Sequence, residues 1–324
     1  MPLCRSCVDV GRDVADVLIA AELRELVGDN PVPGHTVRWL AADEPTPRGD
    51  FVAIVPLLSR WMGGTEFKHL PKLQIVANCA TGVDNVDLVA AQLRSLIVTN
   101  TPGVLTESTA DLTWALILAV ARRLKEGLQL VTDGKWAGWH PTQLLGTELS
   151  GRVLGIVGAG RIGQAVGRRG IGFGVRVIYT SRSPKPDFES ATGATRADLP
   201  QLLAQSDVVT LHLPSTPETK GLMNRERFSS MKPGAILINT ARGEIVREPA
   251  LIEALEQGTL GGAGLDVFAN EPAVDARFIS HPRVVTLPHL GSATWDTRRA
   301  MADLAVRNVR AVLSGEPPIT PVFG

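Results

Sequence analysis

Two alternating patterns of apolar and polar positions run through this 324-residue chain. Short apolar runs bounded by Gly, Pro, Asn and Asp read as buried strands, and apolar residues at helical spacing read as helices packed upon them. In the first third, residues 14–20, 35–40, 51–57, 73–77 and 95–98 fit strands, with helices at 22–27 and 87–93. Asn100-Thr101-Pro102-Gly103 is turn chemistry, and a long helical pattern follows over 105–130. Beyond it, strands at 153–157, 175–179, 208–213, 235–239, 264–267 and 284–287 alternate with helices at 199–205, 225–231 and 249–257.

Such alternation predicts an α/β protein with a Rossmann-type, doubly wound parallel sheet and a second, smaller α/β domain of flavodoxin-like type. A last helix over 294–313 returns to the first block and makes it discontinuous. The expected domains are 1–100 plus 291–324 for substrate, and 101–290 for a dinucleotide. Residues 1–13 precede the first credible strand and have no assigned place.

The run Val153 to Val157 leads into Gly158-Ala159-Gly160-Arg161-Ile162-Gly163, and a helical pattern follows. Strand and helix on either side lift this glycine pattern above coincidence. Gly158 permits the turn, Gly160 lets N–H groups approach a pyrophosphate, and Gly163 allows close helix packing. An acid about 20 residues on would suit the ribose of NAD. None is present: the next strand runs into Thr180-Ser181-Arg182-Ser183, with Lys185 beyond. Hydroxyls and a guanidinium suit a 2′-phosphate, which favours NADP(H) with NAD(H) possible, unless Arg182 is simply a solvated loop cation.

Ligands of such sheets bind at the carboxyl ends of the strands. Three chemistry-bearing residues stand there: Arg242, Glu271 and His289. An imidazole titrates near neutrality, a neighbouring carboxylate favours its charged form, and a guanidinium grips a carboxylate through two hydrogen bonds. Together they read as reduction of a 2-oxo acid; singly, each could be structural. His35, His69, His140, His212 and His281 lack comparable company, and His212 is expected inside a core strand.

Charge narrows the partners. With 33 basic and 33 acidic residues there is no electrostatic footprint for nucleic acid or an acidic membrane. The first residues lack the apolar core of a signal peptide, and the longest apolar stretch falls short of the ~18 residues of a membrane span, so a cytoplasmic location is expected. Cys4, Cys7 and Cys79 exclude a disulfide framework, and Cys4 and Cys7 have no second pair with which to bind zinc, so no metal is expected.

The motifs resemble those of the D-isomer-specific 2-hydroxyacid dehydrogenases over nearly the whole chain. Matching segments are Ala80 to Asn85, Asn100 to Thr106, Gly158 to Gly163, Asn239 to Gly243, Gly264 to Phe268 with Glu271-Pro272, and Pro288 to Ala293. Within that family Gly291-Ser292-Ala293-Thr294 with Arg298, Trp139-His140-Pro141 and Ser181-Arg182 look most like glyoxylate/hydroxypyruvate reductases.

The resemblance implies that His289 protonates the carbonyl oxygen, Glu271 orients it, and Arg242 binds the carboxylate and carbonyl. It implies backbone contacts to the substrate around Thr81, Gly82 and Val83, with Leu58, Ser292 and Trp139 nearby. It places the cofactor against Thr109, Arg161, Ile162, Leu213, Pro214, Thr219, Thr240, Ala241, Arg242, His289 and Gly291, with Asp266 near the carboxamide. A tryptophan like Trp139 reaching a neighbouring subunit implies a homodimer, unless it serves simple packing. Glu271 argues against formate dehydrogenase, Thr81 weakens phosphite dehydrogenase, and the chain ends too early for an appended regulatory domain. D-lactate, phosphite and sugar-acid dehydrogenases, or a nucleotide-sensing interaction protein of the same fold, remain alternatives.

Overall fold

The structure is a computed structural model that describes residues 16–323. It divides into two compact units, one formed by residues up to Val104 and from Trp295 on, the other by Leu105–Thr294.

In the first unit β1 (Val17–Ala20), β2 (Val37–Leu40), β3 (Ala53–Val55), β4 (Ile75–Ala77) and β5 (Ile97–Thr99) form a parallel sheet in the order β2-β1-β3-β4-β5. Every side chain of β1, β3 and β4 is buried, as expected when both faces of a parallel sheet are covered. The helices are short: α1 (Arg24–Val27) after a 3-10 turn, α2 (Gly64–His69) and α3 (Leu88–Leu93). Asp87 caps α3 by accepting the N–H of Ala90 at 2.9 Å, which starts the expected helix one residue late. The sequence pattern missed α2, whose single turn buries only Phe67. Leu18, Ile54, Met62, Phe67, Leu70 and Val76 make the core on one face.

The second unit opens with a correction. The continuous helix expected over 105–130 is two helices, α4 (Thr106–Ala121) and α5 (Leu124–Thr132), parted at Arg123, which has φ +54°. Apolar spacing continues through α5, yet none of its residues is buried. Its course is set by polar contacts instead: Arg123 pairs with Glu126, and the Lys125 ammonium donates to the carbonyls of Ile279, His281 and Val284.

Next come β6 (Val153–Val157), α6 (Arg161–Gly172), β7 (Arg176–Thr180), α7 (Pro186–Thr192), β8 (Thr195–Arg196), α8 (Leu199–Gln205) and β9 (Val208–Leu211). The remainder is α9 (Arg225–Ser229), β10 (Ala235–Asn239), α10 (Glu248–Glu256), β11 (Leu260–Leu265), α11 (Ala276–Ser280) and β12 (Val284–Thr286). The sheet is parallel, in the order β12-β11-β10-β9-β6-β7-β8. Strand order therefore reverses between β6 and β9, and their carboxyl ends define the switch point.

The sequence pattern began β11 at Gly264, four residues late. Its Gly261-Gly262 has no apolar signal, and a Cβ on Gly264 would press on Leu116 of α4. Likewise α7, β8 and α11 are too short to carry a period. His212 is corrected as well: β9 ends at Leu211, so His212 lies just past the strand, at the switch point.

The last helix, α12 (Trp295–Leu313), belongs to the first unit and buries Met301, Ala302, Leu304, Ala305, Val306 and Val309. After it, Pro321 bridges Thr99 in antiparallel sense and the Val322 N–H donates to Val98, covering the edge of β5. No helix among the described residues is long and apolar enough to cross a membrane, and none of their His, Cys, Asp and Glu side chains form a metal-binding group. Cys4, Cys7, all of residues 1–13 and the start of the first expected strand lie outside the described residues.

Candidate active site

At the switch point Gly158 has φ +102°, and a Cβ there would strike the His212 carbonyl and Leu213. A Cβ on Gly163 would collide with the Gly158 carbonyl. Both glycines are therefore required by the close approach of β6, β9 and α6. Gly160 differs: it faces open space, and no side chain caps the first turn of α6. The uncapped N–H groups and the helix dipole there suit a pyrophosphate, so the residues present fit a dinucleotide. Arg161 is exposed and Ile162 packs on the core.

Past β7, the Ser181 hydroxyl donates to the Ser183 carbonyl at 2.6 Å, and Lys185 donates to the Ser183 hydroxyl at 3.0 Å. Arg196 of β8, which the sequence did not single out, donates to the carbonyls of Ser181 and Arg182. Three cations thus surround this turn, while the charge of Arg182 also acts on the exposed carboxylate of Glu218. On the facing loop the Thr219 hydroxyl donates to the Pro214 carbonyl at 2.6 Å.

The catalytic candidates converge from three loops. Nδ1 of His289 lies 2.9 Å from Oε2 of Glu271, whose Oε1 accepts the N–H of Phe268 at 3.0 Å. Gly243 packs so tightly on the Phe268 backbone that a Cβ would collide with it, which seats the turn bearing Arg242 against the loop bearing Glu271. Burial pushes the Glu271 carboxyl upward, but the His289 and Phe268 hydrogen bonds and the charges of His289 and Arg242 outweigh it and hold it below the ordinary range. Arg242 is half-buried and donates to the Ala241 carbonyl.

Asp266 builds the turn that presents the imidazole. Its carboxylate accepts the N–H groups of Leu290 and Gly291 at 2.7 and 2.8 Å, and its carbonyl accepts that of His289. Burial nevertheless raises its pKa above the usual value. His289 has φ +56°, a conformation uncommon without glycine, and these three bonds hold it. The hydroxyl of Thr109 donates to the Gly291 carbonyl, and Thr240 is linked to Thr113 at 2.9 Å. Ala241 is buried and Ser292 half-buried, while Trp139 is 83% exposed.

Leu58, Thr81, Gly82 and Val83 belong to the first unit. The carbonyls of Ala80, Thr81, Gly82 and Val83 are all engaged, by Thr101, Asn100, Asn78 and Val86 in turn. The N–H groups of Thr81, Gly82 and Val83 meet no acceptor among the described residues. Main-chain donors without an internal acceptor suit an anion.

A dinucleotide loop at the switch point, with a cation, a carboxylate and an imidazole on its rim, defines a class. The family model for the D-isomer specific 2-hydroxyacid dehydrogenase, NAD binding domain, matches residues 114–291, more than half of the chain. The protein belongs to that family, NAD(P)-dependent oxidoreductases that act on CH–OH groups.

Among its relatives, the glyoxylate reductase of Thermococcus onnurineus is 47% identical over 277 residues, covering 84% of this chain and 83% of the relative. The TT0316 protein of Thermus thermophilus superimposes with TM-score 0.86 at 44% identity, over 94% of this chain and 99% of its own. The NADPH-dependent glyoxylate/hydroxypyruvate reductase of Sinorhizobium meliloti, solved with NADP and malonate, gives TM-score 0.85 at 36% identity, over 95% and 97%.

Proposed function

We propose that this enzyme reduces glyoxylate or hydroxypyruvate to the 2-hydroxy acid, prefers NADP(H) to NAD(H), and uses His289 as proton donor. The observation that carries the reading is the Glu271–His289 hydrogen bond, with the charge of Arg242 acting on the same carboxylate. The names of the relatives support the substrate class.

Gly158, Gly160, Gly163 and the first turn of α6 would hold the pyrophosphate, and Ser181, Arg182, Ser183, Lys185 and Arg196 a 2′-phosphate. The absence of any Asp or Glu from 180 to 186 supports that preference. Thr109, Leu213, Pro214, Thr219, Thr240, Ala241 and Gly291 would flank the cofactor. A bound nicotinamide supplies the hydride that a carbonyl carbon accepts.

The protein's own groups do the rest. Arg242 would grip the substrate carboxylate and carbonyl, with Ser292 alongside; within the first unit the Thr81–Val83 donors would take a carboxylate oxygen, with Leu58 as wall; and Trp139 of one protomer would reach its partner's cleft. Because Nδ1 of His289 faces Glu271, Nε2 is the nitrogen that delivers a proton to the carbonyl oxygen. Glu271 stabilises the charged imidazole beforehand and keeps Nδ1–H afterwards. Asp266 fixes the direction in which the ring points.

A homodimer accompanies this reading. Leu124, Leu128, Val131, Trp136, Trp139 and Leu145 are exposed on α5 and the segment after it, an apolar concentration that a second copy would cover.

Steady-state rates for glyoxylate, hydroxypyruvate, pyruvate and larger 2-oxo acids, each with NADPH and NADH, test the proposal. Highest kcat/KM with one of the first two acids and NADPH is expected. A clear preference for pyruvate, for larger acids or for NADH would overturn the corresponding part.

A further inference from the structure

We propose that the buried pair Asn78–Asn85 is the positioning device of the substrate pocket, tying the carboxylate turn to the pocket wall in one hydrogen-bonded unit. The proposal rests on the reading that the Thr81–Val83 turn receives the substrate carboxylate.

Asn78 follows the last residue of β4, and its backbone still ladders to β5 through Thr99. Its side chain is fully buried. The two amides face each other: Nδ2 of Asn78 lies 3.0 Å from Oδ1 of Asn85, and Nδ2 of Asn85 lies 3.0 Å from Oδ1 of Asn78. The remaining contacts fix both orientations, because each nitrogen also faces carbonyl oxygen. Nδ2 of Asn78 donates to the Gly82 carbonyl at 2.9 Å. Nδ2 of Asn85 is shared with the carbonyls of Leu57 at 3.2 Å and Arg60 at 3.0 Å, the turn that carries Leu58. Flipping either amide would oppose oxygen to oxygen.

The pair therefore does two things that a core residue would not. By drawing the Gly82 carbonyl inward, Asn78 turns the N–H of the same peptide, that of Val83, the opposite way. By holding Leu57 and Arg60, Asn85 sets where Leu58 stands relative to that turn. One buried network thus carries the register between head-group binding and wall position. Neither asparagine touches substrate in this scheme; each acts through the main chain it holds.

The test uses full-length Asn78→Ser and Asn85→Ser, with KM, kcat, nucleotide affinity and Tm measured for each. In both, KM for the 2-oxo acid should rise about tenfold, the worth of about one well-formed hydrogen bond, with kcat within about twofold. NADPH affinity should stay at the wild-type value, since the nucleotide loop belongs to the other unit. Only Asn85→Ser should also change the hydroxypyruvate-to-glyoxylate ratio of kcat/KM, by about threefold or more, because it alone frees the Leu57–Arg60 turn. If Asn85→Ser does not fold, Asn78→Ser carries the KM test by itself.

Unchanged KM in folded variants, or KM, kcat and nucleotide affinity falling together with Tm, would overturn the proposal. The underlying reading has its own check in the wild type: with NADPH present, the unreactive acid oxamate should slow amide hydrogen exchange at Thr81, Gly82 and Val83. No slowing there refutes the carboxylate turn, whereas slowing together with silent variants refutes the asparagine pair alone.

Discussion

Oε2 of Glu271 lies 2.9 Å from Nδ1 of His289, and the two side chains reach each other from separate loops past β11 and β12. Such a contact assigns roles to the two ring nitrogens, since the one bonded to carboxylate is no longer available to substrate. His289→Asn should lower kcat by about a hundredfold or more, the usual span for losing a general acid, while NADPH still binds. Stopped-flow reduction and fluorescence titration of the nucleotide separate the two effects. Near-normal kcat would remove His289 from the proton path.

Glu271→Gln should act on the pH profile. The carboxyl is held below the ordinary range by His289, Phe268 and Arg242 against the opposing effect of burial, so its charge persists to lower pH than that of an ordinary glutamate. Its removal takes away the group whose protonation in acid breaks the bond to Nδ1, so the rate should fall at neutral pH and the acid decline of the wild type should disappear. A profile that only shrinks, with its limb unmoved, would leave Glu271 a packing role.

Cofactor choice should respond to Arg182 and to Arg196 in different ways. Arg182→Ala removes a charge beside the 2′-phosphate position, and KM for NADPH should rise about tenfold with NADH unaffected. Arg196 donates to the carbonyls of Ser181 and Arg182, so Arg196→Ala should loosen the turn for both nucleotides. Equal losses with the two cofactors in Arg182→Ala would argue against 2′-phosphate recognition.

Asp207 joins the ends of β6 and β10 by accepting the Val153 N–H and pairing with Lys232 and Arg152. Burial opposes its charge, yet these partners prevail and its pKa lies below the ordinary value. The stabilisation is therefore complete above the ordinary aspartate pKa and is lost as pH falls through the lowered one. Asp207→Asn should cost about 1–2 kcal/mol at neutral pH, with the gap to wild type closing in strong acid. Urea unfolding at several pH values would show it, and a gap independent of pH would exclude the ionic origin.

His212 titrates in the opposite sense to a paired histidine. Burial lowers it from 6.5 to about 3, so below 6.5 the unfolded chain binds a proton that the folded chain refuses. Stability should therefore decline as pH drops from 6.5 toward about 3, and His212→Gln should flatten part of that decline. Parallel stability curves for the two proteins would contradict the shift.

The strands were legible wherever apolar side chains fill them, as in β6 and β10, whose limits match the pattern residue for residue. Legibility failed where structure lacks a side-chain signature. In β11 glycines hide the strand, and at Arg123 the apolar rhythm continues although the helix does not. At the site, Glu271 and His289 stood out because both follow strands in chain order; their hydrogen bond adds what spacing alone could not give. Arg196 and Asn78 gave no sign and Asn85 stood only within a matching segment, because their partners are main-chain carbonyls and, for the asparagines, an opposing amide that only the folded chain assembles.

The donors at Thr81, Gly82 and Val83 are peptide groups, so mutation has little purchase on them: only a proline codon deletes an N–H. A lineage can rewrite every side chain around that bend over many generations while the row of hydrogens is inherited unedited. Under the proposed reading, diversification is thereby steered toward the neighbouring wall, where a change at Leu58 would alter what fits without erasing the grip.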